Sequence, residues 1–167
     1  MLSSKKIIVE CKPDEILAKS LGLAKKEIAH QPNKGEVCNL LKKTEISLAI
    51  VDEDPNSSQP KYLSNFTIVE DKHDVINLHS KSENKTILVL KPRLEEGILK
   101  RCKESAVNPK KYFLPSNNKQ FKDTINYHLL NFSNLLEELI KKNDGGLVYL
   151  KEQIGIVKSK RNKNNRK

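Results

Sequence analysis

One ten-residue segment constrains the fold of this chain more than any other. Residues 46–51 read ISLAIV, almost wholly apolar, and they lead directly into Asp52, Glu53 and Asp54, before Pro55 ends the run. A short apolar run bounded by turn residues is typical of a buried strand, most naturally in the centre of a parallel sheet. Open α/β sheets bind their ligands at the carboxyl ends of such strands, which is where these acids fall. If the backbone stays extended, Asp52 and Asp54 point to one face and favour a bound cation; a solvated acidic turn is the alternative.

The segments on both sides of this strand alternate between strand and helix patterns. A strand over residues 5–9 leads to Glu10, and Pro13 suits the first turn of the helix that follows. Such alternation predicts an α/β protein with a mostly parallel sheet, flanked by helices and connected by right-handed crossovers. The other predicted strands cover residues 27–30, 66–70, 75–79 and 86–90, and the other predicted helices of this part cover residues 36–43 and 94–103.

The C-terminal part is predicted to be a long helix and then a disordered tail. Apolar side chains recur every three or four residues from Phe121 to Ile140, which predicts one amphipathic helix over residues 119–142. This stripe is expected to pack on the core, or alternatively to dock a partner. Residues 158–167 hold six Lys and Arg and no acid, which predicts a disordered basic tail for solubility or nucleic-acid binding. The expected division is an α/β domain over residues 1–106, a helical extension over 107–157 and the tail over 158–167.

Composition excludes several classes of protein. The 167 residues carry a net charge of +10, and 31% of them are charged, so we expect one polar-surfaced domain without a membrane span. The N-terminus leads into a strand pattern instead of a signal peptide, which predicts a cytoplasmic protein. Cys11, Cys38 and Cys102 lie far apart and are odd in number, so we expect free thiols instead of a disulfide framework or a zinc site.

Carboxylates that are distant in the sequence are predicted to meet at one edge of the sheet. Glu10 follows the first strand and Asp52 and Asp54 follow the third, and these strands are commonly neighbours in doubly wound sheets. Asp14 lies four residues after Glu10 and either faces the same point or serves as a negative charge at a helix N-terminus. Oxygen ligands of this kind suit Mg²⁺ or Mn²⁺, held together with water and a substrate phosphate. The pattern predicts metal-assisted phosphoryl transfer.

The same residues resemble a known family. The motif VECKPD at residues 9–14 and the motif VDED at residues 51–54 are similar to the Toprim domain of topoisomerases, bacterial primases, small maturation nucleases and overcoming-lysogenisation-defect (OLD) nucleases. That family has a glutamate after its first strand and Asp-x-Asp after its third, and the OLD type adds a metal-binding acid where Asp14 lies. Over residues 5–100 the resemblance implies a Toprim-like, Rossmann-like fold and an Mg²⁺- or Mn²⁺-dependent nuclease. Cys11 stands where the family usually has glycine, and its larger side chain narrows the approach of a phosphate.

Basic residues near the predicted site are candidates for holding the substrate. Lys34, Lys91 and Arg93 could bind phosphate or stabilise a transition state, and a solvated surface charge is the alternative for each. Lys34 and Gly35 fall in the turn after the second strand, where the resemblance implies a glycine. The predicted catalytic residues are Glu10, Asp52, Asp54 and Lys91; the predicted metal ligands are Glu10, Asp14, Asp52 and Asp54; the predicted substrate-binding residues are Lys12, Lys34, Gly35 and Arg93.

The predicted function is hydrolysis of nucleic-acid phosphodiesters, with DNA favoured over RNA. The larger Toprim nucleases carry an ATPase, so the resemblance implies an ATPase or other partner protein here, in a phage-defence or nucleic-acid-processing complex. An inactive Toprim-like module that binds nucleic acid or a protein is the alternative. A receiver-like phosphoacceptor domain ranks last, because its acid pair would follow the first strand and a lysine would follow the fifth.

Overall fold

The structure, a computed structural model, describes residues 4–164. Six strands form one sheet in the order β2-β1-β3-β6-β5-β4, of which the first four are parallel and the last two continue it as an antiparallel hairpin. The predicted α/β class with a mostly parallel sheet flanked by helices is confirmed, and the architecture is Rossmann-like. The elements are β1 (Ile7–Val9), α1 (Lys12–Ser20), β2 (Ile28–His30), α2 (Lys34–Lys43), β3 (Leu48–Asp52), β4 (Thr67–Lys72), β5 (Val75–Ser80), β6 (Lys85–Leu90), α3 (Leu94–Glu104), α4 (Asn118–Ile125), α5 (Leu129–Lys141) and α6 (Gly145–Asn164).

The central strands are buried because their side chains are apolar on both faces of the sheet. β3 pairs with β6 along its whole length, and Ile50 and Leu88 are fully buried in the two strands. Successive side chains of a strand point to opposite faces, so both faces need a cover. α2 packs on one face, and α1, α3 and the three C-terminal helices pack on the other. α1 connects β1 to β2 on one side of it, and α2 connects β2 to β3 on the other side of β1. Because both crossovers are right-handed and run in opposite directions across the sheet, the two helices lie on opposite faces.

Three helices begin at the carboxyl edge of the parallel strands. α1 starts two residues after Glu10, α2 starts after Asn33, and α3 starts after Arg93. The Asn33 side chain caps α2 by accepting a hydrogen bond from the main-chain amide of Glu36 at 2.9 Å. Helix N-termini carry free amides and a positive partial charge, which stabilise nearby anions. The edge is therefore suited to acidic side chains and to phosphate.

The predicted long helix over residues 119–142 is in fact two helices. α4 ends at Ile125 and α5 begins at Leu129. The turn between them brings Phe121 against Phe132, with ring centroids 6.1 Å apart and ring planes at 74°. On one straight helix these residues would lie about 16 Å apart. The break therefore allows an edge-to-face aromatic contact in the core, which an unbroken helix cannot make.

The apolar stripe of these two helices belongs to the core and is not a docking face. Phe121, Ile125, Phe132 and Leu136 are fully buried, in the same cluster as Leu17 of α1. The suggestion that a partner docks on this stripe is therefore wrong. The helices after residue 107 share one hydrophobic core with α1 and α3.

A long final helix covers the end of the predicted helical extension and most of the predicted tail. α6 runs from Gly145 to Asn164, so the expectation of disorder is wrong for residues 158–164, and residues 165–167 lie outside the described part of the chain. The Asp144 Oδ1 atom accepts hydrogen bonds from the main-chain amides of Gly146 and Leu147, at 3.1 Å each. Gly145 and Gly146 thus lie in the first turn of α6, which Asp144 caps.

Asp144 also fixes this helix to α3. Its carboxylate is paired with the buried Arg101 guanidinium at 3.3 Å and accepts a hydrogen bond from the Ser105 hydroxyl at 3.1 Å. Arg101 donates a second hydrogen bond to the main-chain carbonyl of His73, at the tip of the β4–β5 hairpin. One buried ion pair therefore joins α3, α6 and the hairpin.

The structure also bears on two expectations from composition, namely the absence of a membrane span and the state of the three cysteines. Within residues 4–164, no helix is long and apolar enough to cross a membrane. The three cysteines are free thiols, with Cys38 and Cys102 buried and Cys11 half-buried beside the carboxyl edge of the sheet.

Candidate functional site

Glu10 and Asp52 meet at the carboxyl edge of the sheet, as the sequence predicts. β1 and β3 are parallel neighbours, with Val9 opposite Ile50, so their carboxyl ends lie side by side. The main-chain amide of Asp52 donates a hydrogen bond to Glu10 Oε2 at 3.3 Å. Two acids separated by 42 positions in the sequence are therefore in direct contact.

Asp14 joins them from the first turn of α1. Its side chain is 1% exposed, and Oδ2 accepts hydrogen bonds from the Cys11 amide at 3.2 Å and the Cys11 thiol at 3.1 Å. The other oxygen, Oδ1, is buried and has no hydrogen-bond partner among the described residues. Asp14 is thus a helix-capping residue that keeps one buried oxygen without a partner among the described residues, and its role as a metal ligand stays a prediction.

Glu95 is a fourth acid of the site, which sequence reasoning did not assign. It lies in the first turn of α3, is 7% exposed, and its Oε2 atom is buried without a partner among residues 4–164. The negative charge of Glu95 acts on both Asp14 and Asp52. Glu95 follows the end of β6 by the same number of residues as Asp14 follows the end of β1, and this repeated spacing is a signal that could have identified it.

These four side chains form what we call the carboxylate cluster: Glu10, Asp14, Asp52 and Glu95. Each comes from a different element at the same edge, namely the end of β1, α1, the end of β3 and α3. The Asp52 Oδ1 atom accepts a hydrogen bond from the main-chain amide of Leu94 at 2.9 Å, which ties β3 to the N-terminus of α3. The cluster is therefore assembled by the tertiary fold and not by any one segment.

Burial and mutual repulsion oppose ionisation of the cluster. Burial raises the pKa of Asp52 to about 9, and the charges of Asp14 and Glu95 add to the effect. Burial likewise raises the pKa of Asp14 to about 7, with Glu10 and Glu95 contributing. The pKa of Glu10 is also raised by burial, although the Asp52 amide and the charge of Lys34 oppose the shift. A divalent cation would offset such repulsion.

The donor set fits a hard divalent cation, although the ligands are not pre-arranged. Within residues 4–164, no three His, Cys, Asp or Glu side chains already surround a point that could hold a metal ion. The Cys11 amide and thiol both donate to Asp14 Oδ2, so this oxygen is already engaged in hydrogen bonds. The cluster nevertheless consists of oxygen donors, and the Asp14 and Glu95 oxygens without partners are buried polar atoms of the kind that need a ligand.

Asp54, a predicted metal ligand, is engaged elsewhere. β3 ends at Asp52, and Asp54 adopts a left-handed backbone conformation with φ 45°, so the two aspartates do not continue one extended strand. The condition on which a shared face for Asp52 and Asp54 depended, an extended backbone through Asp54, is therefore not met. Asp54 Oδ1 is paired with Arg93 Nε at 2.6 Å, and its charge still raises the pKa of the neighbouring Glu10.

Lys34 and Gly35 have local structural roles. Lys34 is 8% exposed, and its Nζ atom donates hydrogen bonds to the main-chain oxygen of Glu53 at 2.7 Å and to Gln59 Oε1 at 2.9 Å. It thereby holds the loop after β3 and places a positive charge near Glu10. A Cβ atom at Gly35 would lie 3.2 Å from Asn33 Oδ1, the cap of α2, so the tight cap accounts for this glycine.

Of the other predicted basic residues, Lys91 lies away from the cluster, whereas Lys12 and Arg93 lie beside it. Lys91 is paired with Asp71 of β4 at 2.6 Å, so its side chain is directed to the hairpin and not to the cluster. Lys12 is exposed at the first residue of α1, next to the site. Arg93 pairs with Asp54 and, at 3.0 Å, with Glu96. Of the predicted substrate-binding set, Lys12 and Arg93 are therefore exposed or partly exposed at the site.

Comparison of the chain with protein-family models, with curated proteins and with solved structures finds no match in any of the three. The function proposed below therefore stands on the geometry of the cluster and its surroundings.

We predict that the metal-free protein loses stability as pH rises. Asp14 and Asp52 have folded-state pKa values above the ordinary value of about 4, so the folded state retains protons that the unfolded chain releases. The stability that these two protons give the folded state is complete below about pH 4. It is lost as pH rises through about 7 for Asp14 and about 9 for Asp52. In EDTA, the free energy of unfolding from urea denaturation should fall by roughly 2 kcal/mol or more between about pH 5 and about pH 9. A flat or rising profile would contradict the burial of these charges.

Proposed function

We propose that this protein is a Toprim-like, divalent-metal-dependent nuclease that hydrolyses phosphodiester bonds of nucleic acid. The observation that carries the proposal is the carboxylate cluster at the edge where parallel sheets bind ligands, with its two buried oxygens that have no partner within residues 4–164. The four residues of the cluster would hold Mg²⁺ or Mn²⁺. A bound ion would supply Lewis-acid stabilisation of the charge developing on the phosphate and would lower the pKa of an attacking water.

The chain's own residues have distinct roles in this proposal. Glu10 is half-buried with a raised pKa, and it is the candidate general base that takes a proton from water. Asp52 is fixed through Oδ1 by the Leu94 amide, and its Oδ2 atom would be the oxygen that binds the ion. Asp54 acts indirectly, because it positions Arg93 beside the cluster.

Lys91 has no place in this chemistry, because its ammonium group pairs with Asp71. The same pairing weighs against a receiver-like phosphoacceptor, which needs a lysine at the site. The Toprim resemblance makes DNA the first substrate to test and RNA the second. It also makes an ATPase a partner worth testing for its effect on cleavage.

The test is cleavage of supercoiled plasmid DNA with Mg²⁺ or Mn²⁺, against EDTA as the control. We predict that Glu10→Gln lowers the rate by about 10²-fold, because a positioned general base contributes about that much. The matched variant is Glu45→Gln, which makes the same change at an exposed residue beyond the opposite end of β3. It should cut as the unaltered protein does. Equal rates for the Glu10 variant and the unaltered protein would refute the assignment of Glu10.

A binding module without catalysis is the second candidate. The Arg93–Asp54 ion pair favours it, because this pair withdraws one acid of the Asp-x-Asp motif from the site. Under this alternative the protein binds nucleic acid but leaves plasmid intact with either metal. Glu10→Gln would then leave the affinity unchanged.

A further inference from the structure

A surface cleft lies between the first turns of α3 and α4, directly beside the carboxylate cluster. Its volume is about 120 Å³. Glu95 belongs both to this cleft and to the cluster, so the two are neighbours that share one side chain. The cleft is lined by Arg93, Glu95, Glu96, Asn118, Lys119 and Lys122.

The lysines supply the uncompensated positive charge of the cleft. Glu96 is neutralised by Arg93 at 3.0 Å, and Arg93 is in turn shared with Asp54. Among the described residues, neither Lys119 nor Lys122 has an ion-pair partner. Glu95 is the one remaining acid of the lining, and it is the acid that a cation in the cluster would neutralise.

α4 holds the two lysines in a fixed position. They lie three residues apart on the helix and therefore share a face. The opposite side of α4 is anchored by Phe121 and Ile125, which are fully buried, and the Asn117 side chain caps the helix by accepting from the Gln120 amide at 3.2 Å. The packed helix thus fixes the backbone positions from which the two lysines project, while their exposed side chains can adjust to a phosphate.

We propose that this cleft binds a backbone phosphate of the nucleic acid next to the phosphodiester at the cluster, with Lys119 and Lys122 as its main contacts. The inference rests on the proposed function and extends the site onto the C-terminal helices. Ammonium groups bind phosphate as point charges, and such contacts give nucleic-acid affinity its salt dependence. Because Glu95 repels phosphate until a cation neutralises it, divalent metal and nucleic acid bind with positive coupling.

The experiment measures binding of a short fluorescein-labelled DNA duplex by fluorescence anisotropy, with Ca²⁺ in place of Mg²⁺ and with EDTA as the metal-free arm. The unaltered protein should bind more tightly with Ca²⁺. The Lys119→Ala/Lys122→Ala variant should bind about tenfold or more weakly, and the slope of log affinity against log salt should fall by about two. Thermal unfolding checks that the variant is folded.

The matched control is Lys25→Ala/Lys26→Ala, which removes the same charge from exposed positions just before β2, at the opposite edge of the sheet. The proposal that the cleft binds phosphate would be refuted if both variants lost DNA affinity equally, or if Lys119→Ala/Lys122→Ala lost none. The two proposals fail separately. If the unaltered protein cleaves plasmid with metal but Lys119→Ala/Lys122→Ala binds DNA with unchanged affinity, only the proposal for the cleft is refuted. If Lys119→Ala/Lys122→Ala binds DNA more weakly but the unaltered protein leaves plasmid uncut, only the proposal of a nuclease is refuted.

Discussion

Asp52→Asn is expected to stabilise the metal-free protein and, at the same time, to remove its metal-dependent activity. The Asp52 carboxylate is buried against Asp14, Glu95 and Glu10, all acids. An asparagine keeps the Oδ1 atom that accepts the Leu94 amide at 2.9 Å, and it is neutral without the proton that Asp52, with its raised pKa, must take up on folding at neutral pH. The free energy of unfolding in EDTA should rise by about 1–2 kcal/mol, as is common when a strained functional residue is replaced.

The loss of function should be larger than the gain in stability. A bound ion contributes several kcal/mol to phosphoryl transfer, so plasmid cleavage by Asp52→Asn should fall by about 10³-fold or more. Mg²⁺ or Mn²⁺ should raise the unfolding temperature of the unaltered protein and should raise that of the variant much less. A variant that is less stable than the unaltered protein in EDTA, or that responds equally to metal, would contradict this assignment.

Asp54→Asn is the matched control, because it makes the same chemical change two residues further on. Asp54 is partly exposed and neutralised by Arg93, so its loss should lower stability by about 1 kcal/mol or less. The response of the unfolding temperature to metal should remain. If Asp54→Asn instead removed the metal response, the ion pair with Arg93 would have to open during metal binding.

Gly146→Ala is expected to destabilise the fold by about 3 kcal/mol. A Cβ atom at Gly146 would overlap the Arg101 guanidinium, which is buried and paired with Asp144. The guanidinium could move only by leaving Asp144 and the His73 carbonyl unpaired, and breaking a buried ion pair typically costs about 3–5 kcal/mol. Urea denaturation of the variant measures the effect.

Gly155→Ala is the control within the same helix. A Cβ atom at Gly155 meets no other atom within 4 Å, so alanine should stabilise α6 by about 0.5–1 kcal/mol through its higher helix propensity. If both glycine variants behaved alike, helix propensity and not the Arg101 contact would decide the outcome at position 146.

The central part of the fold and of the site could be predicted because each rests on a local pattern. The apolar run before Asp52 indicates a buried strand, and the position of Glu10 after β1 then places the two acids together by topology alone. Asp54 could not be placed, because its left-handed backbone depends on the loop that Lys34 and Arg93 hold. Sequence periodicity contains no information about such a turn.

Glu95 and the C-terminal helices show a second limit. The side chain of Glu95 reaches the cluster only because α3 begins beside β3, which is a consequence of strand order. The apolar stripe from Phe121 onward fits one long helix as well as two shorter ones, and the contact of Phe121 with Phe132 decides between them. The basic composition of residues 158–164 predicts disorder, yet their backbone continues α6.

The buried Lys34 has a consequence for how a polymer reaches the site. Its ammonium group, through Glu53 and Gln59, fastens the loop after β3 over the side of the sheet covered by α2. Swinging that loop outward would break both hydrogen bonds of the Lys34 ammonium group, so we expect the loop to behave as a fixed wall. The proposed function would then bring nucleic acid in along the cleft between α3 and α4, whose lining includes Lys119 and Lys122.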